Sequence, residues 1–196
     1  MTAQPIVSTG AQLQTPPLLE VRGLAKAFPG VQALAGVDLT VAAGTVHAVL
    51  GVNGAGKSTL MHILAGWMAP DGGQILFKGQ PVRLTHPHQA RRLGIAMIHQ
   101  ELMPFPDLTV AENLFMGQEP AVAGLGWVQR ARLYAQTARL LRRLGVELAP
   151  DRRMGQLSVA EMQAVEIARA LVQQAQLIIM DEPTSALSQR EVDRLF

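Results

Sequence analysis

Between residues 18 and 50 the chain runs in short apolar stretches divided by glycines. "LLEVRGL" (18–24), "VDLTV" (37–41) and "VHAVL" (46–50) each predict a strand, with Gly23, Gly36 and Gly44 near their ends. After "GVNGAGKST" (51–59) the period changes: Leu60, Ile63 and Leu64 fall at helical spacing, and the helix is expected to stop at Gly66. "QILFKGQPV" (74–82) and "LGIAMIH" (93–99) again predict strands. From about 101 to 150 the texture is helical. "LTVAENLFMG" predicts a short helix and "VQRARLYAQTARLLRRLGV" a longer one, with Leu133, Leu140, Leu141 and Leu144 on one side. Residues 158–173 predict a helix opened by Ser-x-x-Glu, in which Ser158 and Glu161 satisfy amides that the first helical turn leaves without partners. "LIIM" (177–180) is too short and too β-branched for a helix, so it reads as a central parallel strand covered on both faces. It delivers Asp181 and Glu182 to a strand tip.

The pattern is α/β, and 196 residues are the size of one ordinary domain with room for an inserted lobe. With 48% apolar and 16% charged residues the chain can bury a core. Residues 1–17 have neither a basic nor an apolar signal region and read as a loose tail, so the fold is expected over 18–196, with a helical subdomain at about 101–160. The absence of cysteine excludes disulfides and thiolate metal sites, and no apolar run approaches the ~20 residues of a membrane span. A net charge of +2 is too small to argue for nucleic acid. Arg130, Arg132, Arg139, Arg142 and Arg143 read as a solvated helix face, so no polymer binding is expected.

Chemistry enters at the glycine loop. In Gly-x-x-x-x-Gly-Lys-Ser, here Gly51, Val52, Asn53, Gly54, Ala55, Gly56, Lys57 and Ser58, missing side chains let backbone N–H groups converge on phosphate. The helix that follows aims its positive end at the same point. Lys57 would reach the outer phosphates, and Ser58 could place its hydroxyl on Mg²⁺, a hard cation that prefers oxygen ligands. The second element is "LIIMDE". A carboxylate leaving a buried strand beside the glycine loop can hold Mg²⁺ through water, the part expected of Asp181, and Glu182 can polarise the attacking water.

Together these residues spell out a family. "GVNGAGKST", "IHQE" with Gln100, "LSVAEMQ" (157–163), "IIMDEP" and "SALS" (185–188) stand in the order and spacing of ATP-binding cassette (ABC) transporter ATPases, which residues 18–196 resemble. "FPGVQAL", "IAMIHQEL", "LTVAENLFMG" and "LSVAEMQAVEIARAL" are similar to the first ATPase domain of the double-domain monosaccharide importers, the ribose, galactose and xylose type. The resemblance implies a P-loop NTPase fold with a mainly parallel core sheet, an N-terminal antiparallel β subdomain and an inserted α-helical subdomain. It implies an ATPase that energises sugar import, with ATP and Mg²⁺ as cofactors. The implied partners are transmembrane permease subunits, a second ATPase domain and, indirectly, a sugar-binding protein. The implied place is peripheral, on the cytoplasmic face of the bacterial inner membrane.

Residue roles follow from the same resemblance. Phe28 corresponds to the aromatic that stacks on adenine. Gln100 matches the glutamine that touches Mg²⁺ or the attacking water, and Thr59 completes the nucleotide loop. "LSVAEMQ" matches the signature that caps a γ-phosphate bound by the opposite domain, which brings Ser158 and Ala160 to a composite site. Here the chain departs from the family: Val159 and Ala160 replace two glycines, Glu161 replaces glutamine, and Val52 replaces a glutamate. A Cβ at Ala160 limits backbone approach, and Glu161 would repel an anion unless its cap turns it back toward its own helix start.

The family's switch histidine follows one further strand, and none of the five histidines here lies after Glu182. The alternative expectation is therefore a truncated, non-catalytic nucleotide-binding fragment. A soluble ABC protein of translation or DNA repair is a third reading, with the "LTVAENLFMG" resemblance against it.

Overall fold

A computed structural model describes residues 16–98, 104–121 and 127–181. The chain divides into two compact units, residues 1–90 and 91–196. The first unit is built on a four-stranded antiparallel sheet in the order β2-β1-β3-β4, with β1 at Leu19–Phe28, β2 at Val31–Val41, β3 at Gly72–Phe77 and β4 at Gln80–Val82. β1 is central because its alternating Leu19, Val21 and Leu24 bury one face; Leu19 pairs with Phe77 and Val21 with Ile75, which are buried too. The helix α1 (Lys57–Leu64) adds Leu60, Ile63 and Leu64 to the buried set, the three positions that the helical spacing predicts. α2 (Pro87–Arg92) is one and a half turns long and has no counterpart in the sequence reading.

Three expectations are corrected in this unit. Residues 74–82, expected as one strand, turn at Lys78 and Gly79, so that β3 and β4 form a hairpin pairing Ile75 with Val82. The 37–41 strand begins six residues earlier, at Val31, because the Gly30 turn folds 31–36 back onto β1 as a hairpin and ladder bonds override the weak local pattern. Residues 46–50, predicted as a strand, carry none: Val46 and Leu50 are 80% and 85% exposed. An apolar run becomes a strand through the ladder it joins, and among the described residues this one joins none.

The second unit holds β5 (Ile95–Ile98) and β6 (Leu177–Met180), paired in parallel from Ile95–Leu177 to Ile98–Met180. It also holds α3 (Val110–Leu114), α4 (Arg130–Arg143), a 3₁₀ turn at Met154–Gln156 and α5 (Val159–Val172). One core unites the helices: Val110 and Leu114 from α3, Leu141 from α4, Met154 and Leu157, and Val165 and Ala168 from α5. Backbone bonds pin α3 to the segment before α5, with the Val110 and Ala111 amides donating to the carbonyls of Arg152 and Pro150 and Met154 donating to Leu108. Asn113 is buried yet satisfied: it accepts from the Phe105 amide and donates to the carbonyls of Phe105 and Thr109. The α4 arginines are exposed, as a solvated face requires. No helix among the described residues is long and apolar enough to cross a membrane.

Candidate functional site

The glycine loop is a turn followed directly by a helix. The Ala55 amide donates to the Val52 carbonyl at 3.1 Å, and Gly54 and Gly56 take φ values of 81° and 88°, where L side chains are strained. Gly56 is fixed twice over. A Cβ there would collide with the Ala33 carbonyl oxygen and lie 2.9 Å from a Leu34 methyl, so the loop rests directly on β2.

Gly56 is also the N-cap of α1, and no side chain caps the helix. The first turn has no acidic residue either, so the positive end of the helix suits an anion. Lys57 folds back across the loop and donates to the carbonyls of Gly51 at 2.9 Å and Val52 at 3.1 Å, which keeps its ammonium beside the amide nest. Ser58 follows at the second helical position, exposed. One glycine that no Cβ could replace, a second at positive φ, an uncapped helix start and an adjacent ammonium fit a phosphate chain.

β2 links this loop to the aromatic. Gly56 rests on Ala33 and Leu34; Leu34 pairs with Lys26 of β1, and Phe28 stands two residues further along. Phe28 and the residues on which the loop rests therefore share one hairpin. Phe28 is 42% exposed, and the Lys26 ammonium lies 5.8 Å from its ring centroid.

The remaining candidates belong to the second unit. Asp181 follows β6 directly, and its amide extends the ladder by donating to the Ile98 carbonyl at 3.2 Å. Gln100 and Glu182 lie outside the described residues. No group of three or more acidic or histidine side chains that could hold a metal occurs among the described residues.

At the signature, Ser158 is the N-cap of α5 with the capping box that the sequence predicts: its hydroxyl accepts from the Glu161 amide, and its own amide donates to Glu161 Oε2 at 2.7 Å. Arg152 donates to Glu161 Oε1 at 2.8 Å and, through its other guanidinium nitrogen, to the Gln156 carbonyl. Both carboxylate oxygens are thus engaged. The Ser158 amide bond chiefly, with Arg152 also contributing, holds this carboxyl below the ordinary glutamate range. The acid is neutralised at its own helix start. Arg152 is a residue the sequence reading missed; an arginine six residues before a capping serine carries no pattern until the loop at 150–157 folds. Ala160, half-buried in the first turn of α5, lines an apolar cavity of about 440 Å³ with Leu144, Val146, Ile167 and Met180.

Residues 34–185 match the family model described as ABC transporter. The chain belongs to the ABC transporter family. Among curated relatives it is 50% identical over 179 residues to a putative ribose/galactose/methyl galactoside import ATP-binding protein of Geobacillus kaustophilus, covering 91% of this chain and 36% of that protein. It is 52% identical over 180 residues to the ribose import ATP-binding protein RbsA 1 of Rubrobacter xylanophilus, covering 92% and 36%. The chain spans about a third of the length of these relatives. Among solved structures, the ADP conformation of MJ1267, an ATP-binding cassette of an ABC transporter, superposes with a TM-score of 0.77 at 28% identity, covering 92% of this chain and 74% of that one. A nucleotide-free ATP-binding cassette from an ABC transporter gives a TM-score of 0.74 at 27% identity, covering 91% and 74%. The P-loop NTPase fold of the ABC cassettes is therefore the fold of this member, with an antiparallel sheet and a parallel one.

Proposed function

We propose that this ABC family member binds ATP and hydrolyses it to energise import of a monosaccharide through a membrane ABC transporter. The observation that carries the reading is the uncapped, acid-free start of α1 behind a glycine loop crossed by Lys57. The names of the relatives, which specify sugar import, support the substrate class.

In this reading the amides of Gly51, Val52, Asn53, Gly54, Ala55 and Gly56 and the ammonium of Lys57 cradle the phosphates, Thr59 completes the loop, and Phe28 stacks on adenine. Mg²⁺, when bound, neutralises charge on the outer phosphates; Ser58, Gln100 and Asp181 are the residues that would hold it, and Glu182 polarises the attacking water. Ser158 and Ala160 face a nucleotide bound by a second ATPase domain, with Arg152 cancelling the repulsion that Glu161 would otherwise exert. The partners are permease subunits and a sugar-binding protein, and the site of action is the cytoplasmic face of the inner membrane.

Calorimetry with Mg²⁺ and ATP tests the binding step: heat of association that Lys57→Ala weakens at least tenfold is expected, and its absence from the unaltered chain overturns the reading. Sugar-stimulated turnover in proteoliposomes containing the permease tests the coupling. Tight binding without turnover would assign the chain to the non-catalytic alternative.

A further inference from the structure

β1 outruns its neighbour. Its last pair with β3 is Ala25 with Gly72, so beyond Ala25 the strand has no ladder on that side, although it continues to Phe28. Asp71, the residue before β3, supplies what the ladder lacks. Its amide donates to the Ala25 carbonyl at 2.9 Å, its Oδ1 accepts from the Lys26 ammonium at 2.7 Å and its Oδ2 accepts from the Ala27 amide at 2.7 Å. One residue thus grips three consecutive positions and stops one short of the aromatic. The Lys26 ammonium, largely covered with 17% of its side chain exposed, is the cation that lies over the Phe28 ring.

We propose that Asp71 is a positioning residue for base recognition: it fixes the overhanging end of β1 and the Lys26 ammonium so that the Phe28 ring is held ready to stack on the adenine of ATP. The inference rests on the nucleotide reading above and deepens it. Beyond Ala25 only the β1–β2 hairpin remains, paired through Phe28 and Val31, and a two-stranded end opens more readily than one held on both sides, so an aromatic there would lose orientation on every opening. Binding a base to a mobile ring adds the ordering of that ring to the cost of association. The Asp71 carboxylate removes this by taking the amide that β3 leaves unpaired and by placing a cation on one side of the ring, which leaves stacking to the other. Its contact with the ammonium foremost, and with the Ala27 amide next, holds the Asp71 carboxyl below its ordinary range, so the grip is ionic at neutral pH.

The test compares ATP with inorganic tripolyphosphate, which needs the glycine loop and not the base, by calorimetry on the full chain with Mg²⁺. Asp71→Ala is expected to weaken ATP about threefold to tenfold, the worth of an aromatic stacking contact, and to leave tripolyphosphate unchanged. In a Phe28→Ala background the same substitution should have no further effect on ATP. Asp71→Asn, whose amide oxygen still accepts from Ala27, should recover part of the loss and serves as the probe should the alanine variant fail to fold. Equal weakening of both ligands, or an effect that persists without Phe28, overturns the proposal and leaves Asp71 a stabilising turn residue. If Phe28→Ala itself leaves ATP affinity unchanged, the stacking role of Phe28 falls together with the proposal; if Lys57→Ala does so, the nucleotide reading falls with it.

Discussion

Single side chains in the glycine loop carry separable burdens. Lys57 donates to two carbonyls of its own loop, so Lys57→Ala should leave thermal stability nearly unchanged and weaken ATP binding roughly tenfold to hundredfold, the worth of a charged hydrogen bond. Gly56 is the opposite case. Gly56→Ala meets both a positive φ and the Ala33 carbonyl, and is expected to destabilise the first unit by roughly 2–4 kcal/mol in denaturant titration. Gly30→Ala has a similar φ and nothing within 4 Å, so it isolates the backbone contribution at about 1 kcal/mol. A smaller effect at Gly56 than at Gly30 would refute the contact with β2.

At the scale of elements, α3 and α5 begin with the same device. Thr109 with Glu112, and Ser158 with Glu161, each form a complete capping box, and both carboxyls are held below the ordinary glutamate range by bonds from the capping residue. The depressed folded values fix the sign: the stabilisation is fully present above the ordinary glutamate range and is lost as pH falls through the folded values. Glu112→Gln combined with Glu161→Gln should therefore lower stability near neutrality, converge on the unaltered chain at low pH, and so flatten the acid limb of a stability-versus-pH curve. Ser158→Ala should cost about 1 kcal/mol, read as a lower midpoint in urea.

The Ser158 cap was legible because a capping box is a local code, complete within four residues. So was α1, whose apolar spacing and glycine stop lie next to one another. β2 and residues 46–50 were misjudged for the converse reason: whether 31–36 pair and 46–50 do not is decided by partners distant in sequence. Asp71 and Arg152 were missed likewise, since each acts on residues that only folding brings near. The turn and helix start over residues 51–58 were legible because they are made of consecutive residues.

For the whole molecule, the consequence of residues 46–50 being extended without a ladder is measurable. Their amides should exchange with deuterium far faster than those of Val21 and Leu24, which sit in the buried middle of β1. Protection of 46–50 equal to that of β1 would show that the segment has found a strand partner in solution. Val46, Leu50 and Val52 also leave an apolar strip exposed, so in the unliganded chain a charged substitution at Leu50 should raise the concentration at which aggregation begins in light scattering.

The abutment of Gly56 on Ala33 means that the hairpin and the start of α1 shift as one piece. Any displacement of the hairpin must carry the ring and the amide nest with it and preserve the gap between them, so the length of molecule that this cleft can grip is set by a backbone abutment that no side chain at Ala33 adjusts.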